Sequence, residues 1–214
     1  MNIVIAGAHG QIAMLLHPML SKQGHNVRGL IRKPEQSAEL LKAGAVPVVV
    51  DIEKEDDISD AVGEADAVVF AAGAGPGSGK ERKWTVDRDG AIKLIKAAKK
   101  NGINRYVMIS AMGLDTPRGD EEFQIYQKAK AEADQALRKS GLDYTIVKPG
   151  RLTNEPGTGK VKIARNLDQG EVPREDVASV LLHVLEDHKA TGMELDLISG
   201  ENSIESELLR LVEN

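Results

Sequence analysis

Short runs of β-branched residues alternate along this chain with longer segments of helical periodicity, several of which end in a glycine. This alternation is typical of βαβ units, in which consecutive strands join a parallel sheet and helices cover both of its faces. The apolar runs 68–70 and 107–109 contain no polar alternation, as expected for strands that are buried on both sides. The pattern therefore predicts an α/β fold of the Rossmann type, with a doubly wound parallel sheet in three layers.

The periodicity also predicts where the elements lie. The predicted strands cover residues 2–6, 26–31, 46–50, 66–71, 104–109, 143–147 and 193–197. The predicted helices cover residues 10–22, 35–43, 54–62, 83–100, 121–140, 174–187 and 203–212. At 214 residues we expect a single domain over 1–214, with a small C-terminal extension and the substrate-side elements within 151–214.

Composition excludes several classes of function. The chain has 28 Lys and Arg against 33 Asp and Glu, so it lacks the positive field that collects nucleic acid. It contains no cysteine, which excludes thiol chemistry and fits a cytoplasmic location. No apolar run approaches the roughly 20 residues of a membrane helix, and Asn2 leads directly into the first strand, so we expect neither membrane insertion nor a signal peptide.

A glycine motif follows the first predicted strand and opens the first predicted helix. Its spacing is Gly7-x-x-Gly10-x-x-Ala13. The glycines allow a tight turn and a close approach of the backbone to a pyrophosphate, while Ala13 lets the helix pack on the strand. The helix N-terminus then offers oriented N–H donors to the anion. The motif predicts a dinucleotide-binding site.

The end of the second strand favours NADP over NAD. An NAD site usually has an acidic residue at this point to bind the ribose hydroxyls, but this chain has Arg32 and Lys33. Arg32 can bind a 2′-phosphate through two N–H groups of its guanidinium, and Lys33 either adds a point charge or faces solvent. Asp51, after the third strand, either meets the adenine amino group or caps the next helix.

Three polar residues further along the chain suggest chemistry on a carbonyl oxygen. Tyr126 and Lys130 are four residues apart in a predicted helix, so the ammonium of Lys130 can lie beside the phenol and lower its pKa. Ser110 ends the strand before that helix. A carbonyl reduction needs a proton donor and a second hydrogen bond to the oxygen. We therefore expect Tyr126 to donate the proton, Ser110 to hold the substrate oxygen and Lys130 to bind the nicotinamide ribose.

These motifs together resemble the atypical short-chain dehydrogenase/reductase family. Together with the Ala71-Ala72-Gly73 segment and the run from Asp143 to Gly150, they are similar over nearly the whole chain to its NmrA-like and epimerase/dehydratase-like NAD(P)-binding members. The resemblance implies a Rossmann core with cofactor contacts at Gly7, His9, Gly10, Gln11, Ile12, Arg32, Lys33, Asp51, Ile52, Ala71, Ala72, Gly73, Ser110, Tyr126, Lys130, Pro149, Gly150, Arg151 and Leu152.

The expected function is that of an NADP-dependent oxidoreductase that reduces a small carbonyl or quinone substrate. Two alternatives stay open at this point: a redox sensor that binds NADP(H) without turnover, and a flavin reductase in which no protein acid is essential. The histidines show no metal-binding spacing, so we expect no metal. We expect no nucleic-acid or membrane partner, and a monomer or a homodimer.

Overall fold

The computed structural model describes residues 1–75 and 77–213, and a large sheet forms its centre. The strands are β1 (Asn2–Ala6), β2 (Asn26–Ile31), β3 (Ala45–Val49), β4 (Ala67–Phe70), β5 (Arg105–Ile109), β6 (Asp143–Pro149), β7 (Arg151–Thr153), β8 (Lys160–Ala164), β9 (Glu171–Pro173), β10 (Met193–Ser199) and β11 (Asn202–Ser203). Nine of these form the central sheet, in the order β11-β8-β10-β6-β5-β4-β1-β2-β3, and β7 pairs with β9 separately.

The strand order is that of a Rossmann fold. Strands β1 to β6 follow the order 3-2-1-4-5-6, and β10 continues the parallel sheet beside β6. Beyond β10, strands β8 and β11 run antiparallel to their neighbours. The chain reverses its direction of travel through the sheet between β1 and β4, which is where such sheets bind ligands. The predicted fold class is confirmed.

Helices cover both faces of the sheet. They are α1 (Gln11–Lys22), α2 (Ser37–Lys42), α3 (Ser59–Val62), α4 (Lys80–Arg82), α5 (Ala91–Lys100), α6 (Glu121–Arg138), α7 (Arg174–Glu186) and α8 (Ile204–Glu213). The apolar sides of α1, α7 and α8 pack on one face, and those of α5 and α6 pack on the other. In the part of the chain that is described, no helix is long and apolar enough to cross a membrane.

The predicted helix over 83–100 is wrong in its first half. A continuous α-helix is found only from Ala91, and a π-helical segment, Lys83–Gly90, connects it to the short α4. Periodicity does not separate the two because a π-helix differs from an α-helix by less than one residue per turn. Such segments are rare and occur frequently at functional sites. This one buries the polar side chains of Lys83 and Asp87.

The predicted helix over 54–62 is mostly wrong as well, because only residues 59–62 are helical. The side chain of Asp51 accepts a hydrogen bond from the Glu53 N–H at 3.0 Å, and the side chain of Asp57 accepts one from the Ser59 N–H at 2.9 Å. These local side-chain bonds offer the backbone an alternative to helix. Residues 52–54 therefore form a turn, and the rest of 51–58 is irregular.

The segment 151–172, in which the periodicity predicted neither a helix nor a strand, contains β7, β8 and the start of β9. The strand β8 alternates exposed and buried residues, with Val161 and Ile163 directed into the core. Its sequence, Lys-Val-Lys-Ile-Ala, shows this alternation, but the run is short and follows a glycine-rich stretch, which is typical of a loop. The division into domains stays a prediction.

Candidate cofactor and active site

The glycine turn after β1 lies directly against the end of β4. Gly7 has a φ of +79°, and a Cβ atom at this position would lie 2.5 Å from the Cα atom of Ala72. The buried His17 of α1 bonds the carbonyl oxygen of Ala8 through Nε2 at 2.8 Å. Burial lowers the pKa of His17, which keeps its ring neutral. Only glycine fits at position 7, and the hydrogen bond from His17 fixes the turn to α1.

The N-terminus of α1 faces out of this turn without a side-chain cap. Gly10 is the capping residue, it makes no side-chain hydrogen bond, and the first turn of α1 contains no acidic residue. The leading N–H groups of a helix have no partners within the helix, and its dipole favours an anion at this end. The predicted contacts Gln11 and Ile12 begin the helix here. The backbone suits a phosphate group.

A cavity of about 250 Å³ opens beside the turn. It is bounded by the ends of the first four strands, by the turns that follow them and by the π-helical segment. Its lining is Gly7, His9, Gly10, Leu30, Ile31, Arg32, Gln36, Val50, Asp51, Ile52, Glu53, Ala71, Ala72, Gly73, Arg82 and Val86. Nine of the residues predicted to bind the cofactor are therefore brought together by the fold. We refer to this space as the glycine cavity.

Arg32 shares a carboxylate with a second arginine in this cavity. Glu53 accepts hydrogen bonds from Arg82 at 2.7 and 3.2 Å, and Arg32 lies 3.3 Å from the same carboxylate. Thr85 of the π-helical segment also donates to Glu53, at 2.8 Å. These bonds, Arg82 first among them, lower the pKa of Glu53. Neither Arg82 nor Glu53 was expected from the sequence, because each is far from Arg32 along the chain.

Two of the predicted catalytic residues, Ser110 and Lys130, lie at the carboxyl end of β5. Lys130 of α6 is buried, and its ammonium donates to the carbonyl oxygen of Ile109 at 3.1 Å and lies 3.6 Å from the carboxylate of Asp87. Asp87 is itself fully buried and accepts a hydrogen bond from the Ala74 N–H at 3.2 Å. The adjacent Ser110 follows the strand directly. The ion pair thus joins α6, β5, the π-helical segment and the loop after β4.

The expectation that Lys130 lowers the pKa of Tyr126 is wrong. Tyr126 is half-buried and stacks on the ring of Phe123, with 5.8 Å between the ring centres. Burial, together with the carboxylates of Asp87 and Asp134, raises the pKa of its phenol. The Lys130 ammonium is directed to Asp87, so its charge is largely compensated there. The phenol is thus held in its neutral form.

Behind Ser110 lies a buried carboxylate. The Ser110 hydroxyl donates to Asp134 Oδ2 at 2.9 Å, and both residues are buried. Burial raises the pKa of Asp134 to about 6. Lys148 of β6 lies 3.6 Å from the same oxygen and also pairs with Glu194 of β10. Asp134 follows Lys130 by four residues, so the helical spacing that links Tyr126 to Lys130 also extends to this residue.

A second cavity, of about 700 Å³, lies at the same edge of the sheet, where β5, β6 and β10 end. Its lining is Gly113, Leu114, Asp115, Thr116, Arg118, Lys148, Asn166, Leu167, Asp168, Gln169 and Asp196. Gln127 anchors one bordering loop, since it bonds the Arg118 N–H at 2.8 Å and the Gly113 carbonyl oxygen at 3.2 Å. Asp196 anchors the other loop through the Leu167 N–H at 2.9 Å. We refer to this space as the β5–β10 cavity.

Several residues implied by the resemblance line neither cavity. Lys33 is exposed beyond the end of β2. Arg151 is exposed and pairs with Glu171, while Leu152 packs against the core. Pro149 ends β6, and Gly150 lies so close to the carbonyl oxygen of Gly170 that a Cβ atom would clash with it. The turn 149–152 thus holds strands together in this structure, and its contact with a cofactor stays a prediction.

Comparison with known proteins identifies the family of this chain. The sequence model described as NAD(P)H-binding fits residues 7–188. The chain belongs to this NAD(P)H-binding family. The Bacillus subtilis protein YhfK, which is named an uncharacterized sugar epimerase, is 38% identical over 99% of this chain and 100% of its own length.

A solved structure shares the whole fold. A protein from Bacillus halodurans that is named an NAD-dependent epimerase/dehydratase superposes with a TM-score of 0.93, at 37% identity, over 99% of this chain and 100% of its own. A more distant relative, the sanguinarine reductase of Eschscholzia californica, is 24% identical over 95% of this chain and 91% of its own length. The family resemblance inferred from the sequence motifs is confirmed.

Two glycine substitutions test the close approach of β1 and β4. Gly7→Ala is expected to weaken NADPH binding at least about tenfold, because the new Cβ displaces Ala72 and with it the wall of the cavity. Gly24→Ala is the matched control: Gly24 has the same φ of +79°, but nothing lies within 4 Å of its Cβ position. It should lose only about 1–2 kcal/mol of stability.

NADPH binding to both variants can be measured by quenching of the Trp84 fluorescence. Trp84 lies in the π-helical segment, close along the chain to Val86 of the cavity wall. Equal binding by the two variants would contradict the steric role of Gly7.

Proposed function

We propose that this protein is an NADP-dependent oxidoreductase that reduces a small carbonyl or quinone substrate. The observation that carries the proposal is the position of Ser110 and of the Lys130 ammonium at the carboxyl end of β5, the edge of the sheet at which the glycine cavity opens. Tyr126 precedes Lys130 by about one turn on α6. When bound in the glycine cavity, the reduced nicotinamide dinucleotide would supply a hydride. One relative over most of this chain is named sanguinarine reductase, and its name agrees with a reduction as the reaction type.

The cofactor would be held by groups of three kinds. The glycine turn and the uncapped start of α1 would bind the pyrophosphate. Asp51 and Ile52 line the part of the cavity suited to adenine, and Arg32 and Arg82 flank the place where a 2′-phosphate would bind. Two guanidinium groups that share a single carboxylate retain a net positive charge. This favours NADP over NAD, and Glu53 is the group that a 2′-phosphate would displace.

Two hydroxyl groups would act on the substrate oxygen. Ser110 and Tyr126 would each donate a hydrogen bond as the oxygen gains negative charge, which is the main source of stabilisation in such sites. Lys130 would bind the nicotinamide ribose, and its ion pair with Asp87 holds it rigidly at the end of β5. The β5–β10 cavity has a volume typical of small-molecule sites and borders this region through Lys148. We also propose that the protein is located in the cytoplasm and that its oligomeric state is a monomer or a homodimer.

Turnover tests the proposal directly. Oxidation of NADPH by menadione or benzaldehyde should be catalysed by the wild type, and Tyr126→Phe and Ser110→Ala should each lower kcat by about 100- to 1000-fold, the cost of losing one hydrogen bond to the developing oxyanion. Tyr144→Phe removes a phenol from β6 and serves as the control. Turnover of free flavins alone, insensitive to Tyr126→Phe, would instead indicate a flavin reductase. Tight NADPH binding without any turnover would indicate a sensor.

The choice of cofactor depends on the two arginines. Arg32→Ala and Arg82→Ala should each weaken NADPH binding by about 10- to 100-fold and leave NADH binding nearly unchanged, since each removes a charge-assisted bond to phosphate. Glu53→Gln should tighten NADPH binding because it removes the competing carboxylate. Lys22→Ala is the control for net charge, because this exposed side chain lies at the end of α1 that is far from the cavity. Equal affinities of the wild type for NADPH and NADH would contradict the proposed preference.

A further inference from the structure

We propose that Asp134 supplies the proton of the reduction through the hydroxyl group of Ser110. The inference rests on the proposed function and adds to it the source of the proton. Asp134 would be a positioning residue, because it touches Ser110 and acts on the reacting oxygen only through that hydroxyl.

The contact between the two residues has the geometry of a proton relay. The 2.9 Å bond joins Ser110 Oγ to Asp134 Oδ2, and solvent reaches only 3% of Ser110 and 1% of Asp134. The other carboxyl oxygen, Oδ1, is buried and has no hydrogen-bond donor among the described residues. A carboxylate with one oxygen left without a donor is poorly stabilised, which favours the protonated acid. The acid can donate to Ser110, whose own proton then points outward.

The charges around Asp134 are compensated by other partners. The groups that face it are Ser110 after β5, Lys148 on β6, Glu194 on β10, and Tyr126, Lys130 and Arg138 on its own helix. Lys148 is paired with Glu194, and Lys130 with Asp87. Burial therefore outweighs the neighbouring cations and raises the pKa of Asp134 to about 6. The residue can hold a proton near neutral pH and release it.

Tyr126 is a poorer proton source in this setting. If it lost its proton, a tyrosinate would lie near the carboxylates of Asp87 and Asp134, which raise the pKa of the phenol together with burial. We therefore assign Tyr126 the role of a hydrogen-bond donor that stays protonated. This departs from the sequence-based expectation that Tyr126 is the acid.

The carbonyl carbon would gain the hydride that the bound dinucleotide supplies, so that a new C–H bond forms while a C–H bond of the donor and the C–O π bond of the substrate break, and the carbonyl is reduced as the dinucleotide is oxidised. The substrate oxygen takes the proton of Ser110 Oγ, Ser110 takes the proton of Asp134, and Asp134 is left ionised beside Lys148. Lys148, which is 3.6 Å from Asp134, also lines the β5–β10 cavity, and we place the return of the proton to Asp134 on this side.

The pH dependence of kcat tests the relay in the holoenzyme. With menadione and benzaldehyde as probes, the wild-type rate should fall about tenfold per pH unit above the pKa of Asp134, because only the protonated acid can deliver. Asp134→Asn should be slower by about 100-fold at low pH and should show no fall in this range. In Ser110→Ala the decrease of kcat with rising pH should also disappear. In Tyr126→Phe the decrease should remain, although kcat itself is lower. Glu132→Gln removes an exposed carboxyl from the same helix and should match the wild type.

A second measurement does not depend on turnover. Infrared spectra between about pH 5 and pH 8 should show the carbonyl stretch of a buried protonated carboxyl at the acid end, present in Glu132→Gln and absent in a folded Asp134→Asn protein. The absence of this band from the wild type at about pH 5 would overturn the proposal. So would an Asp134→Asn enzyme that keeps the wild-type pH profile, although the proposed function would then stand. If the wild type binds NADPH but turns over neither probe, the proposed function itself fails.

Discussion

The buried ion pair of Lys130 and Asp87 is the contact on which the organisation of the site depends. Both side chains are almost fully removed from solvent, and between them they connect α6, the end of β5, the π-helical segment and the loop after β4. Removing one member of a buried pair typically costs about 3–5 kcal/mol, because the other charge is left without compensation. The pair therefore fixes the elements around the reacting groups relative to one another before any ligand binds.

The π-helical segment has a clear physical role in this arrangement. Its wider turn brings Asp87 inward to Lys130 and places Val86 in the wall of the glycine cavity, next to Arg82. The same segment thus serves both the cofactor and the catalytic side of the site. The two cavities lie at one edge of the sheet because the strands β1 to β6 and β10 are parallel, so that their carboxyl ends meet there.

Local sequence signals predicted the parts of this site that are formed locally. The turn at Gly7 depends on a few adjacent residues, and the pair of Tyr126 and Lys130 depends on helical spacing, so both could be read from the chain. The pairing of Arg82 with Glu53 could not be predicted in this way, because it depends on how α4 and the π-helical segment pack against the turn after β3. The protonation of Tyr126 could not be predicted either, since it follows from burial and from carboxylates that arrive through tertiary packing.

The central claim is that hydride passes to a carbonyl carbon held near Ser110 from the nicotinamide of a dinucleotide whose adenosine and pyrophosphate parts bind in the glycine cavity. The most direct measurement is single turnover with NADPH deuterated at the reactive carbon of the nicotinamide and benzaldehyde as acceptor, followed by mass spectrometry of the alcohol. Our account predicts one deuterium on the carbinol carbon with the wild type, and about tenfold less labelled alcohol with Gly7→Ala when NADPH is kept well below the Kd of both proteins. An alcohol formed without deuterium, or a tightly bound cofactor that transfers none, would contradict it.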